Sequence, residues 1–150
     1  MVSAISELRD NGYDIRIDFF GSSYLPALEK LRMQLSKVDP DSSWARYHGL
    51  VKYEDLPARY ENYDFSIFAS SCENLPNVVL EIMASGLPLL SSNMGPMPDV
   101  IKDGGIYFNP LSVEDIKEKV LEGINNPIKL HNKSIIAQQI ASNYSWDSTA

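Results

Sequence analysis

The strongest restriction on the fold of this chain is its regular exchange of short apolar runs for helical segments. Asp14 to Phe20 (DIRIDFF), Trp44 to Gly49 (WARYHG), Asp64 to Ala69 (DFSIFA), Leu87 to Ser91 (LPLLS) and Gly105 to Phe108 (GIYF) read as strands. Segments of helical period lie between and around them: Ser3 to Asp10, Leu25 to Val38, Glu54 to Tyr60, the stretch opening at Pro76, a turn over Met97 to Lys102, Val113 to Ile124, and Ile128 to Asn143. In the second, Leu28, Leu31, Leu35 and Val38 form one stripe. Asn11-Gly12 stops the first helix, and Asp39-Pro40-Asp41-Ser42-Ser43 is a loop. Short apolar strands alternating with helices call for a parallel sheet covered on both faces. That is a doubly wound α/β domain. At 150 residues the chain suits one compact domain, with no repeats, low-complexity tracts or internal linker.

Charge and cysteine content narrow the partners. The net charge is −7 and the pI near 4.7, which argues against nucleic acid or an anionic membrane surface. An anionic small ligand stays compatible, because backbone N–H groups can hold phosphate on an acidic protein. The single cysteine, Cys72, allows no internal disulfide and fits a reducing compartment. No apolar run is long enough to span a bilayer and no signal-peptide pattern opens the chain, so a cytoplasmic protein is expected.

Sheets of this type bind ligands beyond the carboxyl ends of their strands. Two of the loops there look specialised: Gly21-Ser22-Ser23, and Ser70 to Asn77. The second leads into SCENLPNVVLEIMASGLP, where Glu73 and Glu81 stand eight residues apart around a Leu75-Pro76-Asn77 corner. Pro76 fits the first turn of a helix and Asn74 a cap ahead of it. Helical side chains lean toward the amino terminus, so Glu81 points back toward the loop carrying Glu73. Five residues of rise put it about 7–8 Å along the axis. A helix start between two carboxylates suits phosphate in the middle and polyhydroxylated groups at each end, as in a nucleotide sugar. The ordinary alternatives stay open: an acid on an amphipathic helix facing water, and an acid in a loop capping backbone.

Other reactive residues read as structural. His48 is a packed or paired strand residue, and His131 lies on a polar helix. Cys72 sits beside an acid, with no second His placed near it in sequence, which argues against a nucleophile. Trp44 and Trp146 read as core or lid residues, not as sugar platforms. Glu114-Asp115-Ile116-Lys117-Glu118-Lys119 reads as a solvated helix face with spaced ion pairs. Gly104-Gly105 reads as a turn, without the Lys-Ser/Thr of a phosphate loop.

Longer strings carry a resemblance. Glu73, Pro76-Asn77-Val78-Val79-Leu80-Glu81, Ala84-Ser85-Gly86-Leu87-Pro88, Gly95, Pro98-Asp99-Val100-Ile101, Gly104 and Phe108-Asn109-Pro110 follow in order. This segment resembles the donor-binding half of retaining GT-B glycosyltransferases of the group 1, or family four, type. Phe20-Gly21, Trp44 to Asp55 and Tyr144-Ser145-Trp146-Asp147 look like flanking motifs of the same family. The family's Pro-Ser ahead of the first acid and Gly after it are here Ala69-Ser70 and Asn74.

The resemblance implies a Rossmann-like half of a GT-B fold. Transfer of a sugar from a nucleoside diphosphate sugar to an acceptor would proceed with retention, in polysaccharide or glycoconjugate biosynthesis, with no cofactor and no metal. It gives Glu73 the catalytic place at the donor sugar and Glu81 the ribose diol. Asn74, Leu75, Pro76, Asn77 and Val78 would line sugar and diphosphate, Gly21 and Ser22 would admit the ligand, and Val51 with its neighbours would lie against the base. Asp39-Pro40-Asp41 spells the Asp-x-Asp metal motif of another glycosyltransferase fold, but its place after a helix reads as a turn.

The family's first, central strand and its diphosphate-binding Arg and Lys precede the first helix seen here. On this resemblance the chain is part of a longer enzyme, inactive alone, and its acceptor (a glycan or lipid-linked sugar) belongs to an amino-terminal domain outside it. The strands Asp14–Phe20 and Asp64–Ala69 would then pair with each other or leave open edges that favour self-association. A non-catalytic binding or assembly module, and an epimerase of nucleotide sugars, are the rival readings.

Overall fold

The computed structural model describes residues 1–72, 74 and 77–144. Two compact units divide the chain, Met1–Leu56 and Pro57–Ala150, where the sequence suggests one domain without an internal linker. Alternation of strands and helices reveals how many strands there are, but not which ladders they form.

The first unit contains α1 (Val2–Asp10), β1 (Ile17–Phe20), α2 (Leu25–Val38) and β2 (Ala45–Gly49), followed by a 3-10 turn over Tyr53–Asp55. β1 and β2 pair in parallel, with Ile17 opposite Ala45 and Phe19 opposite Tyr47, and the register shifts before Phe20. Val2, Ala4, Ile5 and Leu8 of α1 are buried, as are Leu35 of α2, Trp44 and Ala45. The Arg9 guanidinium lies 5.2 Å from the Trp44 ring centroid and donates to the Ile15 carbonyl at 2.5 Å, fixing the turn between α1 and β1. α2 matches the sequence reading at both ends. Pro26 occupies its first turn, where a missing N–H costs nothing.

Asp39 closes α2 and opens β2. Its carboxylate is buried and accepts four hydrogen bonds: from the N–H and hydroxyl of Ser43, and from the N–H groups of Trp44 and Ala45. Burial alone would raise its pKa. The Trp44 and Ala45 amides, with Ser43, outweigh that and hold it down at about 2. The Asp-Pro-Asp stretch is therefore a turn, as its sequence indicates.

The second unit carries β3 (Ser66–Phe68), α4 (Asn77–Ser85), β4 (Leu89–Ser92), α5 (Met97–Ile101), β5 (Gly105–Phe108), α6 (Val113–Asn125) and α7 (Pro127–Ala141); α3 (Leu56–Tyr60) precedes them. The strands run in parallel in the order β3-β4-β5. β4, in the centre, is buried at every position, as expected of a parallel strand covered on both faces. The core joins Val79, Ile82 and Met83 of α4 to Met97, Val100 and Ile101 of α5 and Ala137 of α7. At Gly104 a Cβ would come within 2.8 Å of the Ala137 Cα, so this glycine permits close packing of α7 as well as a turn. Tyr107 donates to the Lys102 carbonyl at 2.5 Å. Burial, with Asp103 and Asp99 nearby, raises its pKa to about 12, so it stays protonated as a structural hydroxyl.

Among the described residues β1 has a ladder with β2 alone, and β3 with β4 alone. Each keeps one edge without a strand partner there. No helix among the described residues is long and apolar enough to cross a membrane.

Candidate functional site

The α4 segment explains how an acid can sit inside an apolar run. Val79, Ile82 and Met83 are buried and leave Asn77, Val78, Glu81, Ala84 and Ser85 on the remaining surface. Glu81 follows Asn77 by four residues and Val78 by three, so all three share one helix face at its amino-terminal end. Asn77 and Val78 are exposed, and Glu81 is partly buried. Among the described residues the Glu81 carboxylate has neither a hydrogen-bond nor an ion-pair partner. Partial burial without a partner leaves its acceptor capacity open to a ligand.

α4 is described from Asn77 onward, and the Pro76 position read as part of its first turn lies outside the described residues. Asn74 stands exposed three residues ahead of Asn77. Glu73, Leu75 and Pro76 lie outside the described residues, as does Trp146. In the loop before them, the Ser70 hydroxyl meets the backbone of Cys72, donating to its carbonyl at 3.4 Å. Cys72 is a free, exposed thiol.

Gly21, Ser22 and Val51 belong to the first unit, at the carboxyl ends of β1 and β2. Gly21 has φ +123, a conformation open to glycine and strained for other residues, and a Cβ there would meet nothing within 4 Å. Its N–H donates to the Gly49 carbonyl at 2.9 Å, and its own carbonyl accepts from the Tyr47 hydroxyl at 2.8 Å. Ser22 is exposed and Val51 partly buried. Leu50, 80% exposed, precedes Val51 in the loop after β2.

His48 is paired, its Nε2 lying 2.6 Å from Asp18 Oδ1 while its ring stacks on Phe20 at 4.9 Å between centroids. His131 is exposed and Trp44 buried, Lys117 of α6 makes a spaced ion pair with Glu114, and Lys119 pairs with its neighbour Glu118 and with Glu122. Among the described residues no three His, Cys, Asp or Glu side chains stand together as a metal-ligand set. Two contacts have no counterpart in the sequence reading: the Tyr47 bond, which spans 26 positions, and the four bonds at Asp39.

Known proteins resemble this chain over most of its length. The O-antigen chain mannosyltransferase B of Escherichia coli is 28% identical over 114 residues, covering 76% of this chain and 30% of that protein. The crystal structure of Anabaena HepE in complex with UDP superimposes with a TM-score of 0.79 at 18% identity, over 94% of this chain and 39% of that one. The C-terminal domain of a glycosyl transferase group 1 family protein from Francisella tularensis gives a TM-score of 0.78 at 18% identity, over 94% of this chain and 75% of that one. This chain spans less than half the length of the curated relatives it matches. The fold is thus half of a GT-B, Rossmann-like architecture. Residues 1–139 match the family described as Glycosyl transferases group 1, and the chain belongs to that family.

Proposed function

We propose that this chain is the donor-binding domain of a retaining glycosyltransferase that uses a nucleoside diphosphate sugar. The observation that carries this reading is Glu81: a partly buried carboxylate, unpartnered among the described residues, on the face of α4 shared with the exposed Asn77 and Val78. Glu81 accepts hydrogen bonds from the ribose diol, and bonds to an ionised carboxylate are the stronger kind. The N–H groups of Asn77 and Val78, toward the amino-terminal end of α4, favour the diphosphate. Glu73 serves the donor sugar, with Asn74, Leu75 and Pro76 beside it. Gly21, Ser22 and Val51 are assigned to donor binding on the family resemblance.

In the reaction the bond from the anomeric carbon to the diphosphate oxygen breaks. The bond to the acceptor oxygen forms on the same face, and the acceptor proton passes to the departing diphosphate. Backbone N–H groups aimed at that diphosphate stabilise its growing charge. The reading includes transfer without metal, a cytoplasmic location, and an acceptor glycan or lipid-linked sugar bound by another part of the enzyme. Anabaena HepE was crystallised in complex with UDP, which makes UDP the first nucleotide to try.

Calorimetric titration with UDP, GDP and 2′,3′-dideoxy-UDP tests the ribose role. Glu81→Ala should weaken UDP or GDP about 10- to 100-fold, the range expected for a charge-assisted hydrogen-bond pair. The dideoxy nucleotide should bind wild type and variant alike. Equal binding of the full nucleotide by both proteins removes the ribose role.

A further inference from the structure

We infer that Tyr47 is a positioning residue for nucleotide binding, acting through the Gly21 peptide. This rests on the donor-binding reading above and adds a residue which that reading leaves out. Gly21 is held from both sides: its N–H bonds to the Gly49 carbonyl at 2.9 Å, and its carbonyl accepts from Tyr47 Oη at 2.8 Å. Both glycines have positive φ, +123 at Gly21 and +73 at Gly49. The backbone turns sharply just after β1 and at the last residue of β2, and the two turns are tied together. On the Cα of Gly21 nothing lies within 4 Å of where a side chain would begin, so the peptide is fixed in place while one side stays open to a ligand.

The tyrosine does what a strand ladder cannot. The β1–β2 register shifts between Phe19 and Phe20, with Phe20 then opposite Gly49, so the ladder is irregular as the chain reaches Gly21. Tyr47, opposite Phe19 in that register, reaches past the irregularity with its hydroxyl and fixes the carbonyl beyond it. The Tyr47 ring is partly buried and edges a hollow of about 250 Å³ that Leu35, Asp39 and Ala45 also line. Removing only the hydroxyl leaves the ring's packing in place and frees the Gly21 carbonyl to rotate toward water. Binding would then require ordering this peptide, which the wild type has already done.

Tyr47→Phe in the 150-residue chain is the test, with three readouts: melting temperature, calorimetric affinity for UDP, and hydrogen exchange at Gly21 and Ser22. The expected result is a melting temperature near wild type, UDP affinity weakened about three- to tenfold, and faster exchange at these amides that UDP slows again. A parallel Tyr13→Phe change, on an exposed tyrosine, should leave all three unchanged. Unaltered UDP affinity in a folded Tyr47→Phe protein overturns the inference and leaves the donor-binding reading standing. Failure of the wild type to bind UDP, GDP or their sugar conjugates overturns both. If the variant does not fold, exchange in wild type decides: slowing at Gly21 and Ser22 on adding UDP supports the inference, and no change overturns it.

Discussion

Asp39 closes a helix and Glu81 sits within one, and the two acids are in opposite states. Asp39 accepts four hydrogen bonds, two on each oxygen, from its own chain, which fills a carboxylate's capacity of about four. Glu81, partly buried on α4, receives none among the described residues. A carboxylate filled by backbone amides acts as structure, coupling the end of α2 to the start of β2. One left open beside a helix start is available for a ligand. The motif that resembles a metal site is therefore structural, and the acid that resembles an ordinary amphipathic residue is the better binding candidate.

The largest effect belongs to the filled acid. Asp39→Ala leaves the buried amides of Trp44 and Ala45 without acceptors and should cost about 3–4 kcal/mol of stability. Chemical denaturation reads this directly, and a loss below about 1 kcal/mol would break the contrast. The pH dependence sharpens it. The folded-state pKa of Asp39 is lowered from 3.8 to about 2, so its contribution is fully present above about pH 4. It is lost as pH falls through 2. Wild-type stability should fall across that window, and Asp39→Asn should flatten that part of the curve.

The open acid should respond through binding. Glu81→Gln removes a charge that no described residue compensates, so stability should stay within about 0.5 kcal/mol of wild type. Nucleotide affinity should fall, by less than for Glu81→Ala, because the amide keeps a neutral acceptor for the diol. Equal losses of stability and affinity would show that Glu81 is structural after all, and the comparison would fail.

Much of this contrast is legible in the residues, and its limits have physical causes. The extent of α2 can be read at both ends, because Pro26 and Asp39-Pro40 are local signals that need no tertiary partner. β5 and the α6 face are equally local. The residues leave two outcomes for β1 and β3, pairing with each other or open edges, and the choice of open edges among the described residues is not legible because periodicity does not encode strand neighbours. Asp39 reads as a turn residue, but its four donors assemble only once Ser43 to Ala45 fold back on it. An acid four residues ahead of a serine, between helix and strand, is the signal that points to this. Tyr47 leaves no local trace. Glu81 can be singled out from its spacing, and its unpartnered state from coordinates alone.

The smallest effect is expected at Asp41, the second acid of the Asp-x-Asp triplet. It is exposed, and among the described residues its side chain has no partner. Its neighbour Asp39 has no acceptor capacity to spare, since a divalent cation would have to displace two donors from each oxygen it used. A site needing both carboxylates would thus unfold the α2–β2 corner that positions them. Asp41→Asn should leave stability within about 0.5 kcal/mol of wild type, and nucleotide affinity with magnesium or manganese should be the same for variant and wild type. If either cation raises wild-type stability and Asp41→Asn abolishes that rise, Asp39 is not closed in solution and the distinction between the two acids is lost.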